Sequence, residues 1–189
     1  MNGIIYGLSQ NGEILNLQEF LKAKGLSSFL AQLNSNSTPK SPVCVPKGLC
    51  DKVKFTEISC NGLAVHGITS FDDELKIGNG ELYAWGTDPC QFGVLGLGER
   101  SQSLSPYKMN FSSETKFISC STGNKHSSAI TGQLKNNLEN RDLYFWGTSH
   151  SNEFGTDEPK KFITPFCTLQ ESDFCEIYVN GKCSALIES

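Results

Sequence analysis

The stretch GELYAWGTDPCQFGVLGLGE, from Gly80 to Glu99, is partly repeated later in the chain. The second copy is RDLYFWGTSHSNEFGTDE, from Arg141 to Glu158, and both contain Leu, Tyr, any residue, Trp, Gly and Thr in that order. Trp146 follows Trp85 by 61 residues. Self-similarity at a fixed period of this size predicts a repeat architecture.

Other segments recur with nearly the same period. KFTEISC ends at Cys60 and KFISC ends at Cys120, while DFCEIYV places Ile177 59 residues after Ile118. Each of these segments follows a proline that we predict to lie in a turn, at Pro42, Pro106 and Pro165. Each unit therefore consists of a proline turn, a β-branched run, a run of small residues, an aromatic run and a glycine-rich turn.

The runs within each unit are short, rich in Ile, Val, Tyr, Phe and Trp, and bounded by Gly, Asn, Asp and Ser, which favours strands. Four short antiparallel strands in roughly 50 to 60 residues are typical of a β-propeller blade. We predict that Trp85 and Trp146 fill the wedge between neighbouring sheets. The glycines that follow them, Gly86 and Gly147, would allow the close approach or the positive φ of the outgoing turn.

The segments GELYAWG, GVLGLGE, SPYKM, FISC and GNKHSSAIT resemble the repeat of the regulator of chromosome condensation (RCC1) family. The resemblance is strongest from Gly80 to Thr131. In the flanking units Ala64 and Cys183 stand at the family's His position, and Tyr6 stands at its Trp position. The resemblance assigns repeat positions to Trp85, Gly86, Gly93, Gly96, His126, Trp146, Gly147 and Gly155.

The phase of the repeats predicts an all-β, partial β-propeller of RCC1-like four-stranded antiparallel blades. The predicted single domain comprises a half-blade at 1–15, a helical insertion at 16–41, blades at about 42–100 and 101–158, and a half-blade at 159–189. The resemblance implies seven blades, and three are too few to close a ring. An incomplete gene product or a homo-oligomer that pairs its half-blades is favoured over a bare open arc, because open strand edges promote aggregation.

The insertion NLQEFLKAKGLSSFLAQLNSNSTPKS has no counterpart in the other units. Asn16 followed by Glu19 is typical of a helix start, and the apolar stripe changes face at Gly25. We predict two short helices that cover a sheet edge or a propeller face. The alternative is that an apolar face carrying Phe20 or Phe29 docks a partner.

Charge and composition restrict the function classes. The net charge is −4 with no basic face, which disfavours direct binding to nucleic acid or to an anionic membrane. We expect a soluble protein of the cytoplasm or nucleus, since neither a signal peptide nor a transmembrane stretch is visible. None of the eight cysteines forms a Cys-x-x-Cys pair, so we predict reduced thiols and neither a metal nor a cofactor.

No catalytic constellation is visible in the sequence. The histidines His66, His126 and His150 show no metal-ligand spacing, and GVLGLG lacks the Lys-Ser or Lys-Thr of a phosphate-binding loop. Acidic loop residues are the remaining candidates, as solvated charges or as a negative rim for a basic partner. They are Asp72, Asp73, Glu74, Asp88, Asp157 and Glu158.

These observations predict a non-enzymatic protein-interaction scaffold without cofactors. The alternative, implied by the resemblance, is guanine-nucleotide exchange on a Ras-like small GTPase. The expected partner is accordingly a small GTPase or a basic protein, and a homo-oligomer that closes the propeller is a further possibility.

Overall fold

A computed structural model describes residues 6–8, 14–16, 54–69, 80–135, 138–150, 154, 159–172, 174–180 and 183–188. Within these ranges the chain forms thirteen strands and no helix, which confirms the all-β prediction. No helix that could cross a membrane occurs in this described part. The predicted helical insertion, with Phe20 and Phe29, lies outside these residues.

Strands β1 and β2 form an antiparallel hairpin, and the next four strands form a complete antiparallel sheet in chain order, which we call sheet 1. The bounds are β1 Tyr6–Leu8, β2 Ile14–Asn16, β3 Phe55–Cys60, β4 Ala64–Thr69, β5 Leu82–Thr87 and β6 Gln102–Lys108. All six residues of β4 are buried, so both faces of this central strand are covered.

Sheet 2 repeats the arrangement of sheet 1, with the order β7-β8-β10-β11, and a short strand β9 extends the hairpin to β10. The chain continues into a last hairpin of β12 and β13. The bounds are β7 Phe117–Thr122, β8 His126–Thr131, β9 Gln133–Lys135, β10 Leu138–Ser149, β11 Lys160–Ser172, β12 Phe174–Asn180 and β13 Cys183–Glu188.

A shared β-bulge fixes the equivalence of the repeats. The register shifts directly after Phe55, Phe117 and Phe174, the first residues of β3, β7 and β12. The structural repeat in these strands is therefore set by phenylalanines 62 residues apart, and the offset of 60 inferred from Cys60 and Cys120 is wrong. The shared letters Ile-Ser-Cys mislead because KFISC lacks two residues that KFTEISC contains.

The prolines also lie elsewhere than expected. Pro106 lies in β6 and Pro165 in β11, which are the last strands of sheets 1 and 2. A proline is tolerated at a sheet edge because no neighbouring strand requires its missing N–H. Sheet 1 therefore ends at Lys108 and sheet 2 at Ser172, and the predicted boundaries after residues 100 and 158 are wrong.

Three hydrophobic cores lie between consecutive sheets. Each core takes buried residues from two neighbouring units, so the hairpins and sheets stack face to face in chain order. The pairs that mark the cores are Ile14 with Trp85, Ile68 with Trp146, and Phe145 with Val179. Trp85 and Trp146 are fully buried in successive cores, in the place of a side chain that fills the wedge between blades.

Candidate partner-binding groove

The turn between β5 and β6 is organised by a buried carboxylate. Asp88 is only 4% exposed, and it accepts backbone N–H bonds from Phe92 at 3.0 Å, Gly93 at 2.6 Å and Val94 at 3.2 Å. The expectation that Asp88 is an exposed loop charge is therefore wrong. Its position after Trp-Gly-Thr predicted a rim, but three converging N–H groups draw the carboxylate inward.

The same turn fastens sheet 1 to sheet 2. The Val94 carbonyl accepts hydrogen bonds from the Trp146 indole at 2.8 Å and from the Ser127 hydroxyl at 3.1 Å. Gly93 and Gly96 have positive φ angles of 84° and 67°. The glycine cluster thus forms a turn that packs on the neighbouring sheet, as predicted for GVLGLG.

The two histidines of the central strands are fully buried between sheets. His66 Nδ1 lies 2.8 Å from the Thr122 hydroxyl, and its ring lies 5.0 Å from that of Trp146. Burial lowers the pKa of His66 to about 4. His126 Nε2 lies 3.1 Å from the Ser184 hydroxyl, so both rings connect one unit to the next.

The pairing register supports the assignments at the His position. His126 pairs with Gly147 and Ala64 pairs with Gly86, so the two residues are equivalent. Cys183 is the first residue of β13, as His126 is of β8.

The first strands of the units, β3, β7 and β12, are linked by side chains that accept backbone N–H groups. Thr122 donates its N–H to the Ser59 hydroxyl at 2.9 Å, and Val179 donates its N–H to the Ser121 hydroxyl at 2.8 Å. Ser59 and Ser121 occupy equivalent register positions. Both bonds satisfy donors on a strand edge that would otherwise be open to another chain.

Glu57 adds a third link of this kind. Its Oε1 accepts the Cys120 N–H at 2.8 Å and the Ser119 hydroxyl at 3.4 Å. The pKa of Glu57 is raised, chiefly by burial, whereas the bonds to Cys120 and Ser119 oppose the rise and the charge of Glu176 adds to it.

These three strands line a groove of about 500 Å³, which we call the first-strand groove. Its ten lining residues include the carboxylates Glu57 and Glu176 and no Lys, Arg or His. Ile118 and Tyr178 also line it and remain 42% and 56% exposed. The Tyr178 hydroxyl donates a 2.6 Å hydrogen bond to Glu176 Oε2, which orients that carboxylate.

The sequence analysis did not single out Glu57 and Glu176. Their segments contributed only β-branched strand positions to the repeat, and acidic loop residues were preferred as candidates. The signal is the bulge: Glu57 pairs with Ile68 and Glu176 with Ile187, directly after the bulge in each unit. Two acids at one structural position of successive units become visible only when the phenylalanines define the repeat.

Several predicted site residues lie outside the described part of the chain. They are Asp72, Asp73, Glu74, Asp157, Glu158, Phe20, Phe29 and the repeat glycine Gly155. Among the residues that the structure describes, no group of three or more His, Cys, Asp or Glu could hold a metal ion. The described arrangement positions side chains for binding.

Comparison with protein families gives a direct match to one repeat of this fold. Residues 79–130 match the model of the regulator of chromosome condensation (RCC1) repeat. Residues 79–130 form an RCC1 repeat. The matched segment covers the Trp85 strand, its turn, β6, β7 and most of β8, and it confirms the resemblance read from the sequence.

Two curated proteins share part of this sequence. The ultraviolet-B receptor UVR8 of Arabidopsis thaliana is 29% identical over 80 residues, which are 42% of this chain and 16% of the receptor. The mouse serine/threonine-protein kinase Nek9 is 29% identical over 110 residues, 55% of this chain and 10% of the kinase. The matches thus span less than a fifth of either relative.

Solved structures match almost the whole chain at low identity. Human WBSCR16 has a TM-score of 0.64 at 16% identity, and the match covers 99% of this chain and 42% of that protein. Prp20p of Saccharomyces cerevisiae, described with its binding properties to Gsp1p and histones, has a TM-score of 0.59 at 16% identity, with 100% and 41% covered. These likenesses show the fold, and the four-stranded antiparallel sheets are RCC1-like propeller blades.

Proposed function

We propose that this chain is a non-enzymatic protein-interaction module that binds a protein partner in the first-strand groove. The observation that carries the proposal is the combination of a groove of about 500 Å³ with the exposed side chains of Ile118 and Tyr178. Aromatic and aliphatic side chains in a concave site are typical anchors of protein interfaces.

Preorganisation of the groove supports a binding role. Thr122 and Val179 hold β3, β7 and β12 together through N–H bonds to side chains of the preceding unit. A rigid surface loses little conformational freedom when a partner docks, which leaves more of the contact free energy for affinity.

Side chains with catalytic potential serve structural contacts instead. His66 and His126 are buried between sheets, and the Ser127 hydroxyl donates to the Val94 carbonyl. A general base has to reach the proton that it abstracts, and these rings face neighbouring units of the chain itself. This use of the residues favours binding over catalysis.

Charge favours a basic partner of the cytoplasm or nucleus. The chain carries a net charge of −4, and both charged residues that line the groove are acidic. Complementary charge accelerates association and disfavours wrong partners. Histones and Gsp1p, named with Prp20p, are therefore the first proteins to test.

The likeness to Prp20p also favours a second candidate function, guanine-nucleotide exchange on a Ras-like small GTPase. An exchange factor stabilises the nucleotide-free GTPase through a wide contact surface. Release of mantGDP from a panel of Ras-like GTPases separates the candidates, because a scaffold leaves the release rate unchanged and an exchange factor accelerates it.

The test of the groove compares two serine substitutions at exposed apolar residues. Binding of core histones and of Gsp1p to immobilised protein is measured by biolayer interferometry for the wild type, Ile118→Ser and Leu104→Ser. Leu104 is the matched control because it is 61% exposed on β6 and does not line the groove. We expect Ile118→Ser to weaken binding about fivefold or more and Leu104→Ser to leave it unchanged. Equal affinities for all three proteins, or no binding of either probe, would contradict the proposal.

A further inference from the structure

Two carboxylates in the first-strand groove are held in place yet keep an oxygen for a ligand. The bonds from Cys120 and Ser119 use Oε1 of Glu57, and the bond from Tyr178 uses Oε2 of Glu176. Oε2 of Glu57 and Oε1 of Glu176 take no part in these bonds. The carboxylates come from β3 and β12, on either side of β7.

The electrostatics of the groove favour a cation. Glu57 is partly buried, and the charge of Glu176 raises its pKa further, so the two carboxylates repel each other. A positive group between two carboxylates removes this repulsion and offsets the desolvation of Glu57. No basic side chain of the described lining supplies that charge.

We infer that the groove binds an arginine of an extended, basic protein segment, with the guanidinium group held between Glu57 and Glu176. The inference rests on the proposed function and specifies its partner. The exposed ring of Tyr178 and the exposed Ile118 side chain provide apolar surface for the stem of the same arginine and for its neighbours.

Arginine fits this arrangement better than lysine. Its planar guanidinium presents five N–H donors, enough to reach two carboxylates at once, and it stacks on aromatic rings. An ammonium group is a compact, strongly hydrated charge that loses more solvation in a partly apolar groove. The geometry therefore predicts a preference for arginine over lysine at equal peptide charge.

The test uses labelled peptides whose charge changes without a change of shape. Fluorescence anisotropy measures the binding of an eight-residue peptide of alternating Gly and Arg, the same peptide with citrulline in place of Arg, and the same peptide with Lys. The protein is the full chain as wild type, Glu57→Gln, Glu176→Gln and the control Glu99→Gln. Glu99 is an exposed acid in the turn between β5 and β6, outside the groove.

Glutamine retains the oxygen that accepts the Cys120 N–H or the Tyr178 hydroxyl, so the substitutions remove charge and preserve these links. Thermal unfolding of each variant verifies the fold. We expect each groove variant to bind the arginine peptide about tenfold more weakly, as expected for lost charged hydrogen bonds, and Glu99→Gln to bind like the wild type. The citrulline peptide should lose at least as much, and the lysine peptide should bind between the two.

Equal binding of the arginine and citrulline peptides to the wild type, or wild-type affinity in both glutamine variants, would overturn the inference. The proposed function fails separately. Histone binding that is weakened by Ile118→Ser and indifferent to Glu57→Gln and Glu176→Gln keeps the groove and removes the arginine site. Histone binding that is indifferent to Ile118→Ser removes the groove as well.

Discussion

Two glycines in one turn allow the contact between sheets 1 and 2 to be separated from backbone strain. Gly96 and Gly98 have φ angles of 67° and 68°, so an alanine at either position is strained equally. A Cβ at Gly96 would lie 2.7 Å from Trp146 Cδ1 and 2.7 Å from Met109 Cε. A Cβ at Gly98 would meet only Thr164 Cγ2, at an ordinary 3.9 Å.

The magnitudes follow from these contacts. Left-handed backbone costs an alanine about 1 to 2 kcal/mol, which is the whole expected loss for Gly98→Ala. Met109 Cε ends a flexible side chain and can move, but the Trp146 indole is held by its bond to the Val94 carbonyl. Overpacking against a fixed ring costs a further 1 to 3 kcal/mol or so, and Gly96→Ala should therefore lose about 2 to 5 kcal/mol.

Urea unfolding followed by far-UV circular dichroism measures both losses. The fluorescence of Trp146, isolated by a Trp85→Phe background because the chain has two tryptophans, reports the local clash. We expect a shifted emission for Gly96→Ala and an unchanged one for Gly98→Ala. Equal losses of stability together with unchanged emission in both variants would refute the packing of this turn on Trp146.

Three further predictions concern buried residues. Trp85→Ala should lower the free energy of unfolding by about 3 to 5 kcal/mol, and a near-wild-type melting temperature would contradict its place between sheets. The folded state keeps His66 neutral down to a pKa of about 4, whereas the unfolded chain binds the proton near pH 6.5. Stability should therefore fall as the pH falls from 6.5 to 4, by about 3 kcal/mol, and His66→Gln should flatten this dependence in urea titrations; an unchanged slope would exclude His66 as its source. Asp88→Ala leaves three backbone N–H groups without their acceptor and should cost about 2 to 3 kcal/mol in thermal unfolding, whereas a loss below about 0.5 kcal/mol would show that water replaces the carboxylate.

The blade architecture could be predicted because its signal is local and chemical. The aromatic strand that carries Trp85 and the strand that carries Trp146 need the same residue types to fill the same wedge between sheets. The following glycines, Gly86 and Gly147, have φ angles of 109° and 103°, which exclude most other residues. Such constraints leave the same letters in each unit.

Strand boundaries were harder to predict because identical letters can occupy different structural positions. The bulge after Phe55 and Phe117 shifts the repeat by two residues relative to the Ile-Ser-Cys match. Pro106 was taken as a turn signal, but an outer strand tolerates proline because its edge needs no N–H donor there.

The candidate groove depends on contacts between units, which no single segment reveals. Glu57 reaches Cys120, and Glu176 meets Tyr178, across distances in sequence that only the stacking of the sheets sets. Asp88 shows the converse, since an acid in a turn looks exposed until the direction of the backbone N–H groups is known.

The most direct measurement of the central claim is hydrogen exchange of the wild-type chain with and without bound core histones, resolved by peptide. The account predicts that binding slows exchange in β3, β7 and β12, the strands that line the first-strand groove. Protection confined to the turn between β5 and β6 or to the outer strands β6 and β11, with β3, β7 and β12 unchanged, would contradict it.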